Sequence, residues 1–158
     1  MVTLRASWNG IDQAVVRISR LRTRIEDMRP YWPLIAEKFY KIEQRAFSSE
    51  GAVSRHGMWA RLNARYKAWK DLHYPGRRVL TLRGSLRDTL TRAGHPQAIY
   101  EATPRSLTLG SRVPYAIYHQ TGTGKMPARR PIDLSAREYA EIAREIHRLL
   151  VAEFSRAA

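Results

Sequence analysis

The sequence predicts an α+β fold: N-terminal helices, a small antiparallel β-sheet and a long C-terminal helix. Apolar residues recur at steps of three and four near both ends of the chain, the spacing of one helix face. Between them lie two short strand-like runs separated by a proline turn, and helices flanking such a hairpin define the α+β class. A length of 158 residues suits one domain with a real core, expected to span 1–158 with a helical part at 1–50 and an α+β core at 77–158.

The first helix is marked by Ile11, Val15, Ile18, Leu21, Ile25 and Met28, with Arg17, Arg20, Arg22 and Arg24 mostly off that stripe. Pro30 ends it, because proline lacks a donor and disfavours helix in the residue before it. A second helix carries Leu34, Ile35, Phe39, Ile42 and Phe47 on one face, with Pro33 in its first turn and Ser48-Ser49-Glu50-Gly51 as its stop. Over 58–74, Trp59, Leu62, Tyr66 and Trp69 fall at helical steps until His73-Tyr74-Pro75-Gly76 breaks the pattern, so a short or irregular helix packed by its aromatics is expected. Val79, Leu80 and Leu82 lead to Gly84, after which Leu86 and Leu90 form a short helix with Ser85 as its expected cap. QAIYEAT and SLTLGS, joined through Pro104-Arg105, read as a hairpin that sets Ile99, Leu107 and Leu109 on a core. An irregular stretch, RVPYAIYHQTGTGKMPARRPIDLS, follows over 112–135. The last helix opens on a capping box, Ser135 and Glu138, and carries Tyr139, Ile142, Ile146, Leu149, Leu150 and Phe154 as its core-facing stripe.

Charge is what departs from an ordinary composition. There are 28 Lys and Arg against 14 Asp and Glu, a formal net charge of +14. Such a field attracts anions, so nucleic acid is the first partner to consider and an acidic protein surface the second. With no cysteine, disulfides, thiolate catalysis and Cys-based zinc sites are excluded. No apolar run has the length of a signal peptide or a membrane span, so a protein that stays soluble in the cell that makes it is expected, with no membrane partner.

Specific chemistry finds little support. The histidines at 56, 73, 95, 119 and 147 are scattered, without metal-ligand spacing on a helix. His119 with Ser111 or Thr121 lacks a nearby acid to orient the base. Gly122-Thr123-Gly124-Lys125 lacks the first glycine of a phosphate loop, and Met126-Pro127 replaces the hydroxyl ligand and the helix start. No cofactor, catalytic residue or small-molecule substrate is expected. Nucleic-acid binding stays open: Arg77, Arg78, Arg83, Arg87 and Arg92 cluster, after Arg61, Arg65, Lys67 and Lys70 interleaved with aromatics. The helical spacing of those aromatics makes core packing their simpler account.

The succession VLTLRGSLRDTLT (79–91), LTLGSRVPYAIYHQTG (107–122) and MPARRPIDLS (126–135) resembles the phage virion morphogenesis family, which contains tail-completion and neck proteins of tailed bacteriophages. Leu80, Gly84, Leu86, Gly110, Ser111, Tyr115, Ala116, His119, Gln120, Gly122, Pro127, Ala128, Arg129 and Leu134 carry the resemblance. Arg83 stands where Thr or Ser is usual, and Arg130 is inserted before Pro131-Ile132.

The resemblance implies a non-enzymatic virion protein at the head–tail junction, made in the host cytoplasm and acting as a ring of identical subunits. Its partners would be other neck, connector and tail-tube proteins, with transient contact to packaged DNA. Tyr115, His119, Gln120, Arg129 and Arg130 are then expected at, or supporting, subunit or neck-partner contacts, with Tyr115 and Ala116 tending to the core. Arg77, Arg78, Arg83 and Arg87 are the candidates to face nucleic acid. The alternative function is a small basic DNA-binding module acting through sequence-independent phosphate contacts.

Overall fold

The computed structural model describes residues 9–156. Helices α1 (Asn9–Glu26) and α2 (Trp32–Ser48) are followed by the short helices α3 (Ala64–His73) and α4 (Ser85–Thr91). Strands β1 (Ala98–Ala102) and β2 (Leu107–Ser111) come next, then α5 (Ala116–Thr121) and the long α6 (Ala136–Arg156). The expected α+β class is what the chain adopts.

Helix α2 is the spine. Its 17 residues span about 25 Å at 1.5 Å per residue, and its buried face runs from Trp32 through Ile35, Phe39 and Ile42 to Phe47. Pro33 sits in the first turn, where a missing N–H costs nothing. At the N-terminal end of α2, Met28, Tyr31, Trp32 and Ile35 pack with Leu149 of α6. At the other end Phe47 meets Trp59 edge-on, ring centres 5.1 Å apart, with Leu86 and Leu90 of α4 completing the cluster. Helix α6 runs antiparallel to α2, since Leu149 lies at the Trp32 end while the Arg45 guanidinium bonds the Glu141 carboxylate at 2.9 Å near the other.

The hairpin pairs in antiparallel register, Ala98 opposite Ser111 and Ala102 opposite Leu107. Thr103 N donates to the Ser106 carbonyl at 2.8 Å to close the turn. The tip is held to the corner between α1 and α2, where Met28 N donates to the Pro104 carbonyl and the Trp32 indole N–H to the Thr103 carbonyl, at 2.8 and 2.7 Å. Helix α6 opens on the expected capping box, with Ser135 N donating to the Glu138 carboxylate at 2.8 Å and Glu138 N donating to Ser135 Oγ at 3.4 Å.

Several expectations are corrected. Gly84, not Ser85, caps α4: its φ of +92° is the left-handed conformation glycine adopts at no steric cost, and Ser85 is the first helical residue. Leu34 and Tyr139, placed on buried stripes, are exposed. Leu34 lies one step off the Trp32–Ile35–Phe39 face, and Tyr139 follows the buried Glu138 at the start of α6, where Glu138 takes the inward position for capping. The 112–135 stretch is not wholly irregular, since α5 lies inside it. On α1, Val15, Ile18 and Ile25 stay exposed beside α6. The side chains of Ile11, Leu21 and Phe154 lie outside the described residues.

Helix α3 departs most from expectation. Trp59, before it, is buried, but Tyr66 and Trp69 are each 42% exposed. The residue α3 turns inward is Lys70, 2% exposed, whose ammonium donates to the Arg78 carbonyl at 2.6 Å. A polar contact seats the helix, so its aromatic side stays outside, where Tyr66, Trp69 and His73 stack in sequence with ring centres 5.5 and 5.0 Å apart.

Candidate functional site

Four segments distant in sequence enclose a cleft of about 860 Å³: the approach to and body of α3, the 80–86 turn before and into α4, the start of α5, and the 125–129 segment. Its apolar surface includes Leu62, Leu80, Leu82 and Met126, with the rings of Tyr66 and Tyr115 at its sides. Five cations line it, Arg61, Lys70, Arg83, Lys125 and Arg129, and no carboxylate does.

The wall facing α5 depends on how the 126–135 segment is fastened. Arg129 is only 6% exposed. Its guanidinium donates through Nε to the Ala60 carbonyl at 2.6 Å and through Nη2 to the Arg61 carbonyl at 2.9 Å, while its backbone N–H donates to the His119 carbonyl at 2.8 Å. A planar fork with fixed donor directions suits two neighbouring carbonyls, which a single ammonium cannot match. Gln120 works on the same strap from the other side: its amide donates to the Ile132 carbonyl at 2.8 Å and accepts from Ile132 N at 3.3 Å. The Trp59 indole N–H donates to the Arg130 carbonyl at 3.0 Å, and Asp133 bonds both the ring and the backbone of His56 at 2.8 Å. Gly122 is required where α5 ends, since at φ +76° a Cβ would lie 2.8 Å from the Ala128 nitrogen.

The opposite wall turns on the Arg78 carbonyl, which accepts from Lys70 Nζ, Thr81 N and Thr81 Oγ1 at 2.6, 3.0 and 2.6 Å. The chain then passes through Leu80 at φ +60°, a conformation costly for a non-glycine residue.

Electrostatics in the cleft follow from burial with no carboxylate in the lining. Burial lowers the pKa of Lys70, against the pull of Glu50 and Asp71, and it also lowers that of Arg129. Burial, then the Arg129 charge, lowers His119, whose Nδ1 is buried with no hydrogen-bond partner. A doubly protonated ring would add a second N–H needing an acceptor there, so geometry and charge both favour neutral imidazole.

The structure brings Tyr115, His119, Arg129 and Arg83 together at this cleft. Tyr115 stands edge-on to His119 with ring centres 5.9 Å apart, and it is exposed rather than core, because the short α5 leaves that face uncovered. Arg130 is half-buried, and Gln120 bonds within its own chain. The other arginines gather elsewhere: Arg77, Arg78, Arg87 and Arg92 line a hollow of about 450 Å³ against the end of α2. There Arg78 donates to the Ser48 carbonyl and Arg87 pairs with Asp88 at 2.7 Å.

Ser111 and Thr121 bond to groups other than His119, the first to Thr89 and Val113, the second to the Ile117 carbonyl. Residues 123–126 form a tight turn bridged by Thr123 and Met126, not a phosphate loop leading into a helix. Among the described residues no group of three or more His, Cys, Asp or Glu gathers as metal ligands would, and no helix is long and apolar enough to cross a membrane.

Sequence reasoning missed Arg61, Leu82 and Lys125 as parts of one site, and missed that Lys70 is buried. Cations next to leucine or methionine with no acid within several residues, as in Ala60-Arg61-Leu62 and Lys125-Met126, were the available signal. The model of the phage virion morphogenesis family matches residues 6–153 of the chain, covering every wall of the cleft. No curated protein and no solved structure matches it.

Proposed function

The chain belongs to the phage virion morphogenesis family, and from that membership we propose that it acts at the head–tail junction, joining head to tail as one subunit of a ring of identical copies. Membership itself makes it a structural phage protein that works with other virion proteins. The observation that carries the ring is a pair of unlike apolar faces at opposite ends of α2. On α1, beside the Trp32 end, Val15, Ile18 and Ile25 are exposed on one side of the helix; on α3, beyond the Phe47 end, Tyr66, Trp69 and Leu72 are. Contiguous exposed apolar surface marks interaction sites, and two different faces on one subunit favour heterologous contacts that close by rotation. In this reading Tyr115 and Arg130 touch a neighbour, while His119, Gln120 and Arg129 support the surface from beneath.

Electron microscopy of particles assembled without this protein tests the proposal: filled heads and finished tails that fail to join are expected. Stable joining in its absence refutes it. For the ring, a Trp69→Glu, Leu72→Glu variant should sediment as a monomer where the unaltered chain forms a closed oligomer.

A second reading, sequence-independent DNA contact, is favoured by the gathering of Arg77, Arg78, Arg87 and Arg92 in one hollow. A salt titration of duplex binding decides it, since phosphate contacts weaken steeply with ionic strength, and no detectable affinity at low salt removes it.

A further inference from the structure

The cleft bounded by α3, the 80–86 turn, α5 and the 125–129 segment shares Tyr66 and Tyr115 with the proposed ring contacts, but its rim cations and its leucines serve neither the ring nor the DNA reading. At its rim the side chains of Arg61, Arg83 and Lys125 are exposed and make no ion pair among the described residues, and its interior is apolar. We infer that this cleft is a docking site for an acidic, extended peptide segment of a different virion protein, in which Asp or Glu residues flank a bulky apolar side chain.

Charge complementarity selects the occupant. Of the fourteen carboxylates in the chain, those of Asp12 and Glu153 lie outside the described side chains. Among the other twelve Glu43 is buried, and each of the rest accepts an ion pair or hydrogen bond within its own chain, as Glu101 does from Arg112, Asp71 from Lys67 and Glu145 from Arg148. A second copy offers no unpaired exposed carboxylate among the described residues, so a segment of another chain that brings free Asp or Glu is the better complement. Lys70 and Arg129, satisfied by carbonyls behind the walls, add positive potential without competing for the ligand.

The shape separates a peptide from nucleic acid. A phosphate backbone is followed by a stripe of cations, with bases stacking on free aromatic faces. Here the cations frame a hollow whose leucines and methionine suit an aliphatic or aromatic side chain, and Tyr66 already stacks on Trp69. A volume of about 860 Å³ accommodates one or two large side chains with their backbone. The inference rests on family membership for the kind of partner, and it depends on neither the ring nor the head–tail placement.

The test measures fluorescence anisotropy of the purified full chain with short labelled peptides in which Leu, Phe or Trp is flanked by Asp and Glu. Controls are the same peptides with Ala at the apolar position, with Lys for the acids, and an oligothymidylate. Saturable binding of the acidic–apolar peptides is expected, weaker by about tenfold or more for the Ala peptides, absent for the Lys peptides, and weakened by about tenfold in Arg83→Glu, Lys125→Glu, the loss of two rim ion pairs against a reversed field. Leu82→Ala, which leaves the charge unchanged, should weaken the acidic–apolar peptides without weakening binding of the Ala peptides. Four results overturn the inference: no saturable binding by any of the acidic–apolar peptides, equal binding of the Ala peptides, affinity unaltered in the charge-reversed variant, or tighter binding of the oligothymidylate lost in that same variant. Because binding is read on the free chain, these outcomes are independent of whether particles lacking the protein join heads to tails.

Discussion

Replacing Arg129 by Met isolates the guanidinium fork from the stem that carries it. Arg129 is buried, and its two side-chain hydrogen bonds, 2.6 Å to the Ala60 carbonyl and 2.9 Å to the Arg61 carbonyl, fasten the approach to α3 onto the 126–135 strap. Hydrogen bonds from a charged donor contribute about 1.5–3 kcal/mol each, so the gross loss is about 3–6 kcal/mol. Methionine fills similar volume and relieves the desolvation of a buried charge, which offsets part of that loss and leaves a net destabilisation of about 3 kcal/mol. In a chain of this length each kcal/mol moves the melting temperature by about 2–4 °C, so a drop of roughly 6–12 °C is expected in thermal unfolding followed by circular dichroism. Arg129→Lys keeps the charge but not the fork, and should lose at least half as much. The control is Arg130→Met: its side chain makes no hydrogen bond or ion pair among the described residues, and a change within about ±0.5 kcal/mol is expected. If Arg129→Met melted no more than about 2 °C below the unaltered chain, or if Arg130→Met cost as much, the fork would not be what holds these segments together.

Four further outcomes are expected. With the His119 pKa lowered by burial and by Arg129, the unfolded chain binds the proton first as pH falls; stability should therefore drop as pH descends through about 6.5, and the slope should flatten in His119→Phe, measured by urea unfolding across pH. Glu43 has the opposite sign: burial, then repulsion from Glu138 and Asp133, holds its carboxyl well above the ordinary range, so its contribution is present below about pH 4.3 and lost as pH rises, and Glu43→Gln should be more stable than the unaltered chain at pH 7. Ser135→Ala removes the reciprocal cap of α6 and should cost about 1 kcal/mol by denaturant midpoint. Arg83→Glu should raise the melting temperature of the free chain at low salt while weakening acidic-peptide binding, because it relieves repulsion around a cleft that holds five cations and no acid.

What could be read in advance divides along physical lines. Helices α2 and α6 and the hairpin follow local rules, since periodicity, a proline stop and a capping box act within a few residues of where they are written. Helix α5 has six residues, too few to display a period, and its sequence reads as loop. Helix α3 fails differently. Of the expected steps only Tyr66 and Trp69 lie on the helix, where they share one face, since Trp59 and Leu62 precede it; and periodicity cannot say which face turns inward. The deciding contact is the Lys70 ammonium on the Arg78 carbonyl, a tertiary interaction that depends on how the chain turns after Pro75-Gly76. The cleft was illegible for the same reason: its walls come from segments near 61, 70, 83, 119 and 127, and only the 126–135 strap, fastened by Arg129, Gln120 and Asp133, brings them together.

The surplus of basic residues therefore has more than one role. Arg129 and Lys70 are spent inside the fold, each bonding carbonyls from beneath a cleft wall. Arg78 and Arg87 are partly committed, one to the Ser48 carbonyl and one to Asp88. Arg61, Arg83 and Lys125 are different, for they face one another's charge across an apolar hollow with no acid in its lining. Fold stability alone gives no reason to keep them there, since mutual repulsion disfavours the compact state. A partner that brings carboxylates to that rim recovers the repulsion as binding energy, and by mass action stabilises the folded chain in return.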